Sequence, residues 1–215
     1  MCEKVIQSIL DNKIIIVVRG VEKENLIPLT QAMYDGGIRL LELTYDATGK
    51  VSDQETAANI KMLSERFKGK MYIGAGTVLK KEQALLTKEN GGTFIISPDT
   101  NEEIIKYTKE IGLVSIPGAL TPTEIQKAHK AGADFVKLFP ITNMGSSYVK
   151  AVSAPLSHVK LLAVGGVDAS NIAEFMKAGA VGVGLGSNIV NKTFMKEGRY
   201  DLITEEAIRC VNATK

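Results

Sequence analysis

The stretch 111–140, IGLVSIPGALTPTEIQKAHKAGADFVKLFP, contains one full repeat of the pattern that organises the chain. Leu113–Ile116 is a short apolar run of strand character. Thr121-Pro122-Thr123-Glu124 opens a helix, with a Thr cap ahead of Pro at the first helical position. Ala131-Gly132 closes that helix, and Phe135–Phe139 is the next strand. Working outward, the same unit recurs with strands at Ile14–Val18, Ile38–Leu43, Met71–Ala75, Thr93–Ser97, Lys160–Val164 and Val181–Leu185, which makes eight. Several runs are continuously apolar, as in a parallel sheet covered on both faces. Asp35-Gly36-Gly37, Asn90-Gly91-Gly92, Ile111-Gly112 and Ala178-Gly179 each stand where a helix needs a left-handed residue before the next strand. The helical segments carry apolar faces, such as Ile172, Phe175 and Met176, and later Ile203, Ala207, Ile208 and Val211.

Strands follow one another at intervals of about 20–25 residues, with one longer gap after the second. No linker or low-complexity run divides the 215 residues. The pattern predicts a single α/β domain over 1–215, a (β/α)8 TIM barrel; a doubly wound open sheet is the alternative, but it commonly has fewer strands at this length. Val5, Ile6, Ile9 and Leu10 predict a short amphipathic N-terminal helix that plugs the barrel bottom.

The charge balance narrows the partners. With 26 Lys+Arg against 24 Asp+Glu the net charge is +2, which argues against nucleic acid. Charged residues interrupt the N-terminal apolar run, so neither a secretory segment nor a membrane span is expected and the cytoplasm is the plain reading. Cys2 and Cys210 have no His or Cys companions at ligand spacing, which suggests a reducing compartment without a disulfide framework. His129 and His158 stand beside lysines and read as solvated. No metal motif or dinucleotide fingerprint appears, so neither a metal nor a nicotinamide cofactor is expected.

In such a barrel the chemistry sits at the C-terminal ends of the strands. That rule selects Arg19, Glu42, Thr44, Thr77, Ser97, Lys137, Gly165-Gly166 and Gly186-Ser187. Lys137 stands in an otherwise apolar run, where burial lowers the pKa of an amine and frees it to attack a carbonyl. The alternative is a lysine that snorkels out at the strand end. Glu42 is the parallel case: a lone carboxylate in an apolar strand, suited by a raised pKa to moving protons at carbon. Its alternative is a structural ion pair, with Lys137 as one possible partner. The glycine segments 164–168 and 182–188 occupy the place where barrels commonly bind phosphate through backbone N–H groups; glycine also serves tight turns and strand packing.

Leu41-Glu42-Leu43-Thr44, Gly74-Ala75-Gly76-Thr77-Val78, Ile96-Ser97-Pro98, Ile116-Pro117-Gly118, Val136-Lys137-Leu138-Phe139-Pro140 and Gly165-Gly166 stand in this order. Over nearly the whole chain the series resembles the class I aldolases that act on 2-dehydro-3-deoxy-phosphogluconate and 4-hydroxy-2-oxoglutarate. The resemblance implies a homotrimeric barrel needing neither metal nor cofactor and taking a small 2-keto acid, as in the Entner–Doudoroff pathway. Lys137 would form a Schiff base with the 2-oxo group. Glu42 would relay protons for cleavage to pyruvate and an aldehyde, either glyceraldehyde 3-phosphate or glyoxylate. By the same matching, Arg19 and Thr77 bind the substrate carboxylate, Pro117 and Gly118 shape the wall over the pyruvate unit, and Gly165, Gly166, Gly186 and Ser187 form the distal anion site.

Two departures matter. Tyr45-Asp46 stands where some members carry Arg, which implies a weaker hold on a distal phosphate. Ala163-Val164 replaces the common Pro-Thr and, with Gly184–Ser187, is similar to the branch acting on the galactonate-derived phosphate. The competing functions are a phosphate-binding epimerase or isomerase, which would need no imine, and a barrel that binds a sugar acid as a sensor.

Overall fold

The computed structural model describes residues 2–215, so Met1 of the 1–215 domain lies outside the described residues. The elements are α1 (Cys2–Asn12), β1 (Ile14–Val18), α2 (Lys23–Asp35), β2 (Leu40–Thr44), α3 (Asp53–Arg66), β3 (Tyr72–Gly76), α4 (Lys81–Glu89), β4 (Phe94–Ile96), α5 (Glu102–Glu110) and β5 (Val114–Ile116). There follow β6 (Gly118–Ala119), α6 (Pro122–Lys130), β7 (Val136–Leu138), α7 (Gly145–Ser153), β8 (Leu161–Val164), α8 (Ile172–Lys177), β9 (Gly182–Leu185), α9 (Lys192–Lys196) and α10 (Tyr200–Ala213).

Nine strands replace the expected eight because Pro117, which has no N–H to donate, splits the fifth into β5 and β6. All pairings are parallel, and β1 pairs with both β2 and β9. The ladder runs β5-β4-β3-β2-β1-β9-β8-β7-β6. Its two ends are halves of one strand, so the sheet closes into an α/β TIM-type barrel and the open-sheet alternative falls away. Across the seam, the Ser115 carbonyl accepts from the N–H groups of Asp134 and Phe135 at 3.0 and 3.3 Å, and the Pro117 carbonyl accepts from the N–H of Lys137 at 2.8 Å.

Successive strand residues point to opposite faces. Ile15, Leu40, Phe94, Ile96, Val114, Ile116, Phe135 and Leu162 form one apolar cluster, the barrel interior. Val5 and Ile9 of α1 belong to that cluster, so the N-terminal helix plugs the barrel as expected. Ile14, Ile16, Leu41, Leu43, Val136 and Leu138 fall in a second cluster with residues of the surrounding helices, such as Leu29, Ile60 and Ile203. The helix starts are capped by local side chains. Ser52 Oγ accepts from Glu55 N–H at 3.1 Å, and Thr121 with Glu124 makes a reciprocal capping box at the predicted start of α6.

Candidate active site

The period of two places the key side chains. In β2, Leu40 faces the interior while Leu41 and Leu43 face the helices, so Glu42 also points inward. Phe135, just ahead of β7, is interior while Val136 and Leu138 are not, so Lys137 points inward too. With β5 and β6 taken as one strand, β2 and β7 lie four positions apart in either direction, on opposite sides of the barrel. Both side chains line one small gap above the apolar interior, together with Val17, Leu162 and Val164.

Burial governs their charge. Glu42 is 1% exposed and Lys137 7%. Desolvation raises the Glu42 pKa above the ordinary carboxylate value, against the opposing pull of the positive charges of Lys137 and Arg19. Desolvation likewise lowers the Lys137 pKa; Glu42 resists that shift and Arg19 adds to it. Among the described residues the two make no ion pair within 4.0 Å, so the structural salt-bridge alternative is not what the fold contains. Glu42 Oε2 has no hydrogen-bond partner, and Lys137 Nζ lies 4.6 Å from the centroid of the Phe139 ring. Lys137 is no snorkelling surface residue. The arrangement offers a desolvated amine and, across from it, a carboxylate with an uncommitted oxygen.

Lys137 also floors a larger cleft of about 900 Å³ at the barrel mouth. Arg19, Thr77, Gly165, Gly166, Gly186 and Ser187 line it, so most of the residues selected from sequence come together. Arg19 Nη2 donates to Thr77 Oγ1 at 3.0 Å. Thr77 holds this position at φ 56°, a strained setting for a β-branched residue. Gly165 and Gly166, at φ 106° and 69°, make a turn that L side chains rarely adopt.

Pro117 and Gly118 are buried in the split strand and do not line the cleft. Gly118 leaves room for a neighbour: a Cβ there would lie 2.3 Å from the Pro98 carbonyl oxygen, and Pro98 is the residue that reaches the cleft wall. Ser97 is used internally, its hydroxyl donating to the Val78 carbonyl at 2.8 Å. Thr44 faces a side groove of about 640 Å³ that meets the cleft at Arg19, Gly20, Thr77 and Lys192. His129 and His158 are exposed, as read, and stack edge to face with ring centroids 4.9 Å apart.

The Tyr45-Asp46 pair is also resolved. Tyr45 is buried outside the barrel wall, its hydroxyl 3.0 Å from both the Gln83 carbonyl and Thr87 Oγ1. Asp46 accepts from the N–H and Oγ1 of Thr48 and from the N–H of Val51. These bonds hold its pKa down at about 2 and spend its charge on the turn after β2.

Sequence reasoning missed Gly76, Pro98 and Lys192. Gly76 and Pro98 lie inside quoted motifs, whereas Lys192 stands in a polar stretch with no pattern to mark it.

A model of the aldolase family described as "KDPG and KHG aldolase" matches residues 5–206. The chain belongs to the KDPG and KHG aldolase family. It is accordingly a class I aldolase, a carbon–carbon lyase, and the buried lysine at the barrel mouth fits that chemistry. The chain is 33% identical over 177 residues to the 2-dehydro-3-deoxy-6-phosphogalactonate aldolase of Escherichia coli K12, covering 82% of this chain and 83% of that one. It is 31% identical over 211 residues to the KHG/KDPG aldolase of the same organism, covering 97% and 96%. It superposes with TM-score 0.81 and 27% identity, over 94% and 96% of the two chains, on a KDPG aldolase from Legionella pneumophila with pyruvate captured as a covalent carbinolamine.

Proposed function

We propose that this KDPG/KHG-family aldolase cleaves a 2-keto-3-deoxy sugar acid phosphate or 4-hydroxy-2-oxoglutarate to pyruvate and an aldehyde through an imine on Lys137. The observation that carries the reading is Lys137 itself, desolvated at the floor of the cleft and set opposite Glu42. The neutral amine adds to the 2-oxo carbon, and loss of water leaves an iminium. Glu42 takes the proton of the C4 hydroxyl. The C3–C4 bond then breaks, its electrons pass into the iminium, and the aldehyde leaves behind an enamine. Glu42 returns the proton to C3, and water hydrolyses the resulting imine to pyruvate and the free amine. Arg19 with Thr77 holds the substrate carboxylate, while Gly165, Gly166, Gly186 and Ser187 receive the distal anion; Pro117 and Gly118 act through Pro98. No cofactor takes part in these steps.

Val164 in the cleft lining and the galactonate-type relative both favour 2-dehydro-3-deoxy-6-phosphogalactonate as the first substrate to assay. A homotrimer in the cytoplasm, serving sugar-acid breakdown of the Entner–Doudoroff type, completes the proposal, with free Cys2 and Cys210 fitting a reducing compartment. Light scattering should give three times the chain mass. Borohydride reduction in the presence of pyruvate should leave a mass adduct on Lys137. An enzyme that forms no adduct, or a Lys137→Met variant with full retro-aldol activity, overturns the imine and leaves the epimerase-type or sensor reading.

A further inference from the structure

The cleft holds one cation to which the proposed chemistry gives no task. Among its lining residues the charged groups are Arg19, Lys137 and Lys192, with no carboxylate. Lys192 makes no ion pair within 4.0 Å among the described residues. Its side chain is exposed at the edge of the cleft. It lies over Gly20, with Nζ 3.7 Å from where a Cβ at that position would stand. Lys192 therefore crosses from the segment after β9 to the segment after β1, which pair as neighbouring strands, and arches over the rim of the cleft. There it shares the junction of cleft and groove with Arg19, whose charge is assigned to the substrate carboxylate, so Lys192 is left free for a second anion. The acids of the adjoining groove are Glu22 and Asp46, and Asp46 is already held by its own turn.

We propose that Lys192 is the specificity-determining cation for the phosphate end of the substrate. The claim rests on the aldolase reading above and deepens it by naming a phosphorylated 2-keto acid as the preferred substrate. Lys137 is buried at the floor and Lys192 is exposed at the edge, and Gly165, Gly166 and Ser187 line the same cleft. A substrate fixed at C2 by Lys137 therefore points its far end toward Lys192. A compact ammonium on a flexible stem suits a phosphate dianion, whose charge-assisted contact is stronger than one to a neutral hydroxyl. This reverses the expectation, drawn from Tyr45-Asp46, that the distal phosphate contributes little.

The test compares kcat/KM for a six-carbon 2-keto-3-deoxy acid phosphate with that for its dephosphorylated analogue, in wild type, Lys192→Met and Lys192→Arg. Wild type should prefer the phosphate. Lys192→Met should lower the phosphorylated-to-dephosphorylated ratio by about tenfold. Lys192→Arg should restore most of the ratio, and inorganic phosphate should inhibit wild type more strongly than Lys192→Met. An unmoved ratio, a wild type with no preference, or an equal loss on both substrates overturns the assignment. Borohydride trapping with pyruvate reports on the imine alone. If trapping succeeds in all three proteins while the ratio is unmoved, Lys192 is wrongly assigned and the aldolase reading stands; if it fails in wild type, the aldolase reading itself falls.

Discussion

The carboxylate of Glu42 occupies the space that a side chain at Gly76 would fill. A Cβ built on Gly76 lies 2.5 Å from Glu42 Oε1 and 2.6 Å from its Cδ. A side chain at this position would push the carboxylate end of Glu42 out of its present place. Gly76→Ala should therefore displace Glu42 and lower kcat by about a hundredfold, with a stability cost of about 1–3 kcal/mol from overpacking. Steady-state kinetics and thermal melts check both. Wild-type kcat in Gly76→Ala would remove Gly76 as the residue that positions Glu42.

The two reactive groups should weaken the fold they serve. Glu42 has a folded pKa above its unfolded value of 4.5, so its share of stability is whole below that pH and declines as pH rises toward the folded value. Lys137 is depressed from 10.5, so its share is whole above that pH and is lost as pH falls through the folded value. Both are costs at neutral pH. The double variant Glu42→Gln/Lys137→Met should be inactive yet more stable at pH 7, by about 1–3 kcal/mol. The part due to Glu42 should vanish below pH 4.5. Denaturant melts at the two pH values measure the difference.

Arg19 acts on the same pair at a distance. Its positive charge lowers the pKa of Lys137 and of Glu42 alike. The attacking amine must be neutral and the proton-accepting carboxylate ionised, so the rising limb of kcat/KM against pH should move to higher pH in Arg19→Gln. Loss of the carboxylate hold should raise KM as well. A raised KM with an unmoved limb would leave Arg19 a binding residue only.

Tyr45 should be structural. Tyr45→Phe deletes a buried hydroxyl that lies 3.0 Å from both the Gln83 carbonyl and Thr87 Oγ1. The expected cost is about 1 kcal/mol of stability, with kcat/KM unaltered. Chemical denaturation alongside the retro-aldol assay separates the two.

The sequence reveals Glu42 and Lys137 because each is a lone charge in an apolar strand whose neighbours follow a period of two. That local rule fixes the face toward which a side chain points. It also reveals the glycines that close each helix and the capping box at Thr121. It does not show that Pro117 would split its strand, that Gly118 makes room for the Pro98 carbonyl from the loop after β4, or that Gly76 is empty to admit a carboxylate. These are contacts between strands and their loops, set by register and barrel closure. The directions taken by Asp46 and Lys192 are not legible for another reason. Position along the chain does not say whether a charged side chain turns back on its own loop, as Asp46 does, or folds across the rim, as Lys192 does.

The helix that closes the bottom of the barrel bears on the fate of a proton. With Val5 and Ile9 seated beneath the interior apolar layer, the described residues close the floor of the barrel and leave the mouth open. A substrate bound to Lys137 would stand between Glu42 and that opening. A proton that Glu42 lifts from the hydroxyl has a short way onward, to the carbon of the enamine above it, while the water that hydrolyses the imine must come from the mouth. The sealed floor therefore leaves the mouth as the one route by which that proton can exchange with solvent.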